Sequence, residues 1–374
     1  MEDFFIHLPA SIERGQGCKA WGIQSQFIAS FPIDEHAWNE GQQWLNKEKG
    51  NPIFVIMSYE AGFCHLNIEV KKLPTQPALL FIVPKKIEWF SENSIEMNES
   101  QILSFKPIES EENYYHKLNT IKSHLLRGDY YETNYCTQLK APISELNPYS
   151  HWLKLYTSNP APHAAYVQFH EHHLLCLSPE RFVQRKGDVL QSQPIKGTIK
   201  KGATTEEDLL LQTQLKNAVK DCTENTMIVD LVRNDLSRLA TKGSVRVTEL
   251  AKVYTFPKLH HLISTVECQI NKDTPFTPIM KALFPMGSMT GVPKKNAVAS
   301  MHQLEENPRG WYSGTLGMIQ PNGDFDLNVI IRSIYYNHQN QEAFIGIGGA
   351  ITLHSQFKAE YQECWLKAQS LINP

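Results

Sequence analysis

The chain has no run approaching the roughly 20 consecutive apolar residues that a membrane-spanning helix requires, and its start, Met1-Glu2-Asp3, lacks the basic opening and apolar core of a secretory signal. It has no Cys-x-x-Cys pair: the seven cysteines, Cys18, Cys64, Cys136, Cys176, Cys222, Cys268 and Cys364, lie far apart. An odd, scattered set excludes a disulfide frame and a cysteine zinc site, and reads as reduced thiols packed as small hydrophobes. There is no basic excess, since 36 Lys and Arg stand against 39 Asp and Glu for a formal net charge of −3, so nothing draws the protein onto nucleic acid. Low-complexity tracts and obvious linkers are missing. The expectation is a cytoplasmic protein whose partners are neither nucleic acid nor membrane.

What is present suits a large globular body. At 374 residues the chain exceeds the size at which one compact core stops growing, which points to one interlocked body or two closely packed lobes. Residues 1–105 read as a β-rich lobe packed on the rest, because 52–57 and 78–83 are short apolar runs bounded by proline, as buried strands are. Residues 106–374 form the second domain. It opens on a helix from Glu111, with Tyr115, Leu118, Ile121 and Leu125 at three- and four-residue steps and Gly128 as the stop.

From Ala164 to Gln193 the pattern becomes a meander: runs at 164–169, 173–177, 181–185 and 189–193 are separated by polar or Ser-Pro turns. The meander ends on Gln193-Pro194-Ile195-Lys196-Gly197-Thr198, where a lysine precedes a glycine free to adopt backbone angles denied to other residues. Such a lysine is either a snorkelling surface residue or one aimed into a cleft. A long helical stretch follows, with Thr205 as N-cap, Asp208 three residues on, and Leu211, Leu215, Ala218, Val219 and Cys222 as its apolar side, before Glu224. The strand 344–351 carries Gly346, Gly348 and Gly349, the pattern of a backbone that something approaches closely. On the last helix Phe357, Tyr361, Cys364, Ala368 and Leu371 make the buried side, and Glu360, Glu363 and Lys367 share another face. That face is either a solvated one with a Glu363 to Lys367 ion pair or a place where two carboxylates share a divalent cation.

Several segments occur in a fixed order: Gly128-Asp129-Tyr130-Tyr131-Glu132-Thr133-Asn134, Leu177-Ser178-Pro179-Glu180, Pro194 to Thr198, Glu224 to Arg238, Phe284 to Lys294, Arg309 to Gly314, Asn328 to Arg332, and Gly346 to Lys367. On these, spanning about residues 110–374, the chain resembles the chorismate-utilising enzymes. Before them only Ser58-Tyr59-Glu60 matches, and faintly. Within that family anthranilate, isochorismate and salicylate synthases usually carry alanine at the position of Lys196. Component I of the aminodeoxychorismate synthases, the branch this chain resembles most, carries lysine. The resemblance implies an α+β fold of large antiparallel β-sheets packed face to face with helices outside, which agrees with the meander.

It also implies a reaction: chorismate and ammonia give 4-amino-4-deoxychorismate, on the way to p-aminobenzoate and folate. A separate glutamine amidotransferase subunit would supply the ammonia, because no Gly-x-Cys-x-Gly nucleophile motif occurs here. By resemblance Lys196 is the nucleophile and Glu180 the general acid. The acid must hold its proton near neutral pH, and the amine must lose its own, so burial is expected to raise the pKa of Glu180 and lower that of Lys196. The implied cofactor is Mg²⁺, with Glu224 and Glu363 as ligands and Glu360 close by, a donor set this hard cation prefers. Arg332 matches a carboxylate-binding arginine, and Tyr312, Lys367, Thr198, the backbone at Gly348, and His261 match other substrate-binding positions. Taken alone, His261 reads as a hydrogen-bonded core histidine.

The family pattern is broken at Glu132, where glutamine or lysine is common, at Ala350 for glycine, at His354 for aspartate and at Met286 for a small residue. The alternatives are an anthranilate or isochorismate synthase, which Lys196 disfavours, and a non-catalytic chorismate-binding homologue, which the joint presence of Lys196, Glu180, Glu224 and Glu363 disfavours.

Overall fold

The structure is a computed structural model that describes residues 3–11, 13–92, 103–143, 146–256 and 258–372. Among the described residues eighteen strands join into one hydrogen-bonded ribbon with antiparallel pairings, and the ribbon doubles back as two sheets. The first sheet runs through Glu132–Pro142, Glu342–Ile351, Ser333–Asn337, His172–Cys176, Ala165–Phe169 and Phe4–Leu8. Two long strands, Gly17–Ala29 and Leu79–Phe90, pair with each other past a bulge at residues 23–25 and carry the ribbon into the second sheet. That sheet continues through Ile53–Met57, Thr315–Ile319, Phe325–Val329, Arg181–Lys186, Val189–Gln193 and Leu259–Gln269, with Ile195–Lys200 and Arg246–Thr255 flanking the last of these.

Alternation explains the face-to-face packing. Phe4, Ile6, Val167 and Leu174 from the first sheet meet Phe54, Ile56, Leu80 and Leu316 from the second in one buried cluster. Helices cover the outer faces: Trp38, Ile228, Val232 and Ile279 lie on the second sheet, and Trp152, Leu155, Cys364 and Ala368 on the first. The expected sheets, with helices outside, are what the structure contains. The segment before residue 105 supplies inner strands to this ribbon, since Ile53–Met57 pairs with Thr315–Ile319 and Phe4–Leu8 with Ala165–Phe169. The faintly matching Ser58-Tyr59-Glu60 docks on the far end of the chain, where the buried Glu60 carboxylate accepts from the backbone of Arg309 at 2.6 Å and Gly310 at 3.1 Å.

Local readings mostly carry over. The helix Glu111–Arg127 starts at Ser110, whose side chain accepts from the Asn113 amide, and stops at Gly128 with φ +77°. Its buried aromatic is Tyr114, whereas the expected Tyr115 is 45% exposed. The long helical stretch is two helices, Thr205–Lys216 and Val219–Ser237, capped by Thr204 in place of Thr205. Asp208 instead turns back to accept from the Gly202 amide at 2.7 Å. The break at Asn217-Ala218 frees the second helix to turn, so Val219 is 79% exposed and not part of an apolar side. All seven cysteines are free, and no helix among the described residues is long and apolar enough to cross a membrane.

Candidate active site

Lys196 lies in the strand Ile195–Lys200 of the second sheet, and the next residue, Gly197, takes φ +82°. A side chain at Gly197 would also press on Asp221 and Leu215, so glycine lets the lysine strand lie close under the two helices. The Lys196 ammonium, 11% exposed, donates to Glu132 Oε1 at 3.1 Å. Glu132 opens the strand Glu132–Pro142 of the first sheet, so this pair joins the two sheets. Burial pulls the Lys196 pKa down, but Glu132, Glu224 and Glu180 outweigh it and leave the amine above its ordinary value. This corrects the expectation of a lowered amine: the carboxylates around it were not counted.

Glu180 behaves as expected. It follows His172–Cys176 in a Ser-Pro-Glu turn pinned to Phe325–Val329: Ser178 Oγ donates to Val329 O at 2.5 Å, and the Val329 amide donates to Glu180 O at 3.0 Å. Burial raises its carboxyl pKa to about 7, against the opposing pull of Ser288, Lys196 and Arg332. Behind the turn a cavity of about 70 Å³ is lined by Leu177, Pro179, Phe256, His261 and Arg332. Arg332 holds a left-handed backbone, φ +48°, which is uncommon for a residue with a side chain and concentrates at functional sites. Its guanidinium has no hydrogen-bond or ion-pair partner among the described residues. Burial lowers its pKa, opposed by Glu180. The buried His261 shares a 2.8 Å hydrogen bond with Thr198 Oγ1, and burial with Arg332 nearby drives its pKa to about 3. His261 is therefore a neutral, satisfied histidine that also faces the cavity.

Three carboxylates surround Lys220 on the helix side, though their oxygens do not all lie within 4.8 Å of one another. Glu224 comes from Val219–Ser237, and Glu360 and Glu363 from Phe357–Ile372. Burial raises Glu224 to about 7, and its Oε1 atom is buried without a hydrogen-bond partner. Lys220, unremarked in the sequence although it precedes Glu224 by one helical turn, sits 3.1 Å from Glu360 Oε1 and 3.9 Å from Glu224 Oε1. Glu360 is buried, 2% exposed, while Glu363 pairs with Lys367 at 2.9 Å. The expected Glu363 to Lys367 ion pair is present, on a helix face where Glu360 is buried and not solvated. An orphaned oxygen in an all-carboxylate set that already attracts an ammonium fits a hard divalent cation.

The glycine strand closes the site. A side chain at Gly346 would strike the Tyr312 ring, and one at Gly348 would strike Tyr135 O and Cys136 Sγ. Lys367 Nζ donates to Gly348 O at 2.9 Å, and beside it Gly349 faces Glu360 and Lys367. Of the family departures, Met286 is buried and lines a cavity beside Glu180 and Ser288, Ala350 pairs with Asn134, and His354 is exposed. The structure therefore links Lys196, Glu180, Glu224, Glu363 and Arg332 through their mutual electrostatic fields, with Glu360 and Lys367 on the same helix as Glu363 and Thr198 bonded to His261, whereas Tyr312 lines a separate cavity with Cys136 and Arg309.

Residues 85–373 match the family described as chorismate binding enzyme. The chain is 41% identical over 264 residues to a protein of Oryza sativa named probable aminodeoxychorismate synthase, chloroplastic, covering 70% of this chain and 29% of that one. It is 36% identical over 261 residues to aminodeoxychorismate synthase component 1 of Escherichia coli, covering 70% of this chain and 57% of the relative. The chain thus spans between about a third and three-fifths of the length of the curated relatives it matches. The crystal structure of anthranilate synthase component I from Streptococcus pneumoniae superposes with a TM-score of 0.86 at 23% identity, over 97% of this chain and 93% of that one, which establishes a common fold. The chain belongs to the chorismate-binding enzymes.

Proposed function

We propose that the protein converts chorismate and ammonia to 4-amino-4-deoxychorismate, with Lys196 as nucleophile. The observation that carries this reading is the buried Lys196 ammonium facing Glu132 and the field of Glu180, an acid poised near pH 7. Arg332, unpaired in the cavity wall, suits a substrate carboxylate bidentately. Glu180 gives its proton to the C4 hydroxyl as that group departs, and the Lys196 amine forms a bond to C2 as the ring double bonds shift. Ammonia then attacks C4, the double bonds shift back, the bond from Lys196 to C2 breaks, and Glu180 recovers a proton from the new amine. Glu224 and Glu363, with Glu360 behind them, are the residues that would hold Mg²⁺. When bound, that ion neutralises carboxylate charge on the substrate ring.

Ammonia is proposed to come from a separate glutamine amidotransferase, and the cytoplasm to be the compartment. The relatives' names support the reading of the reaction. The test is intact mass after mixing protein, Mg²⁺ and chorismate without ammonia. A covalent adduct is expected on the wild type and not on Lys196→Ala, and ammonium salt should discharge it to aminodeoxychorismate. Isochorismate or anthranilate as the main product would overturn the assignment.

A further inference from the structure

We propose that Glu132 is the base that takes the proton from the Lys196 ammonium and returns it at the end of each turnover. This rests on Lys196 being the nucleophile.

An ammonium cannot attack carbon, and Lys196 is held in its charged form by its surroundings. Some group must receive the proton. The acidic groups facing the amine are Glu132, Glu224 and Glu180, with Asp221 and Glu363 also in its field, and among the described residues Glu132 alone forms an ion pair with it. Glu180 is needed as the acid at C4, and Glu224 belongs to the cation-binding set, which leaves Glu132. Its Oε1 atom is already within hydrogen-bond reach of Nζ, at 3.1 Å. Its Oε2 atom is buried and has no hydrogen-bond partner.

A carboxylate serving only to anchor a lysine would fold most stably with both oxygens satisfied, because an orphaned buried acceptor costs about 1–3 kcal/mol. Here one oxygen is left without a donor, where it can carry the transferred proton. The backbone holds this carboxylate in place. Glu132 pairs with Val292, the Tyr131 amide donates to Val292 O at 2.7 Å, and a side chain at Gly291 would stand 2.3 Å from Glu132 O. Only glycine at 291 lets the two strands close on Glu132.

The proton count closes. Glu132 takes one proton from the ammonium, and the neutral amine bonds to C2, becoming a secondary ammonium. When ammonia attacks C4, that nitrogen leaves carbon as a neutral primary amine, and Glu132 protonates it again. Glu180 independently gives a proton to the departing hydroxyl and receives one from the incoming nitrogen.

The experiment follows adduct formation by rapid-quench intact mass, with Mg²⁺ and chorismate and without ammonia, for wild type, Glu132→Gln and Glu132→Ala. At about pH 7 Glu132→Gln is expected to form the adduct at least about a hundredfold more slowly, and to recover as pH rises and the amine deprotonates unaided. Formate, a small carboxylate, should accelerate Glu132→Ala in proportion to its concentration. Adduct formation by Glu132→Gln as fast as the wild type or faster, with the same pH profile, would show that the pair only anchors the lysine. Failure of formate to rescue a folded Glu132→Ala would overturn the proposal even if Glu132→Gln proved unstable. If the wild type itself forms no adduct, the nucleophile reading has failed and not this one.

Discussion

On the strand side of the cleft, Lys196 and Glu132 are both buried and neutralise each other, with side chains 11% and 3% exposed. On the helix side, Glu224 and Glu360 are equally buried, yet the lysine they share is Lys220, which is 53% exposed, while Glu224 also lies in the field of Lys196. A buried pair broken by removing one partner leaves an uncompensated charge, so the strand side resists exchange of its cation. The helix side can let its lysine swing into water at small cost. On the function proposed above, the fold thus places a fixed cation where a bond to carbon would form and a replaceable one where an ion would bind.

The comparison breaks hardest at Lys196. Lys196→Ala is expected to abolish both the adduct and product formation, a loss of three orders of magnitude or more on the scale of removed nucleophiles, while chorismate still binds in equilibrium dialysis. Residual turnover near wild type would mean that both sides of the cleft merely bind.

Glu180→Gln comes next, with turnover falling about 10²- to 10⁴-fold. It carries a stability signature of known sign. Glu180 in the folded state has a pKa raised to about 7 from 4.5 by burial, so between those values the folded protein binds more protons than the unfolded chain. Its contribution is complete below about pH 4.5 and is lost as pH rises through 7. Glu180→Gln removes this loss, and chemical denaturation at about pH 8 should find it more stable than wild type by about 2–3 kcal/mol. In the wild type, turnover should fall as pH rises above about 7 and the acid ionises.

Arg332→Lys sharpens the picture of the wall between the two sides. The lysine keeps the charge but loses the planar fork, so KM for chorismate should rise about 10- to 100-fold with a smaller change in kcat. A change in kcat alone would place Arg332 away from the substrate carboxylate.

How much of this was legible in the sequence follows the distance over which the information travels. The meander strands Ala165–Phe169, His172–Cys176, Arg181–Lys186 and Val189–Gln193 fall almost where alternation and turn residues put them. Gly128 stops its helix as glycine should. Tyr115 was read as buried in place of its neighbour Tyr114 because two adjacent aromatics fit the same helical stripe and only packing chooses between them. Of the residues matched by motif, Lys196, Glu180, Glu224, Glu363 and Arg332 lie within one another's fields. What sequence could not give was charge pairing across the fold: Glu132 and Lys196 are 64 positions apart, and Lys220 and Glu360 are 140 apart. Missing those pairs is why the amine was expected to be lowered and why a solvated face stayed open as one reading of Glu360.

The smallest effect tests the helix side directly. Lys220→Met keeps much of the apolar stem and removes the ammonium that now lies 3.1 Å from Glu360 and 3.9 Å from Glu224. Because Lys220 is half exposed, the pair is worth little to stability, and the thermal midpoint without added metal should change only slightly, or fall if Glu224 and Glu360 repel each other unscreened. A divalent cation, however, would no longer have to displace a resident charge. Titration calorimetry should therefore show Mg²⁺ binding more tightly to Lys220→Met, by about 3- to 10-fold, since one unit of surface ion-pair energy is about 1 kcal/mol. The corresponding change on the strand side, Lys196→Met, should alter Mg²⁺ affinity less, because that ammonium is ion-paired with Glu132 and reaches Glu224 only through its field. Equal effects from the two substitutions would mean that the carboxylates form a single undivided field and that the distinction between the two sides does not exist.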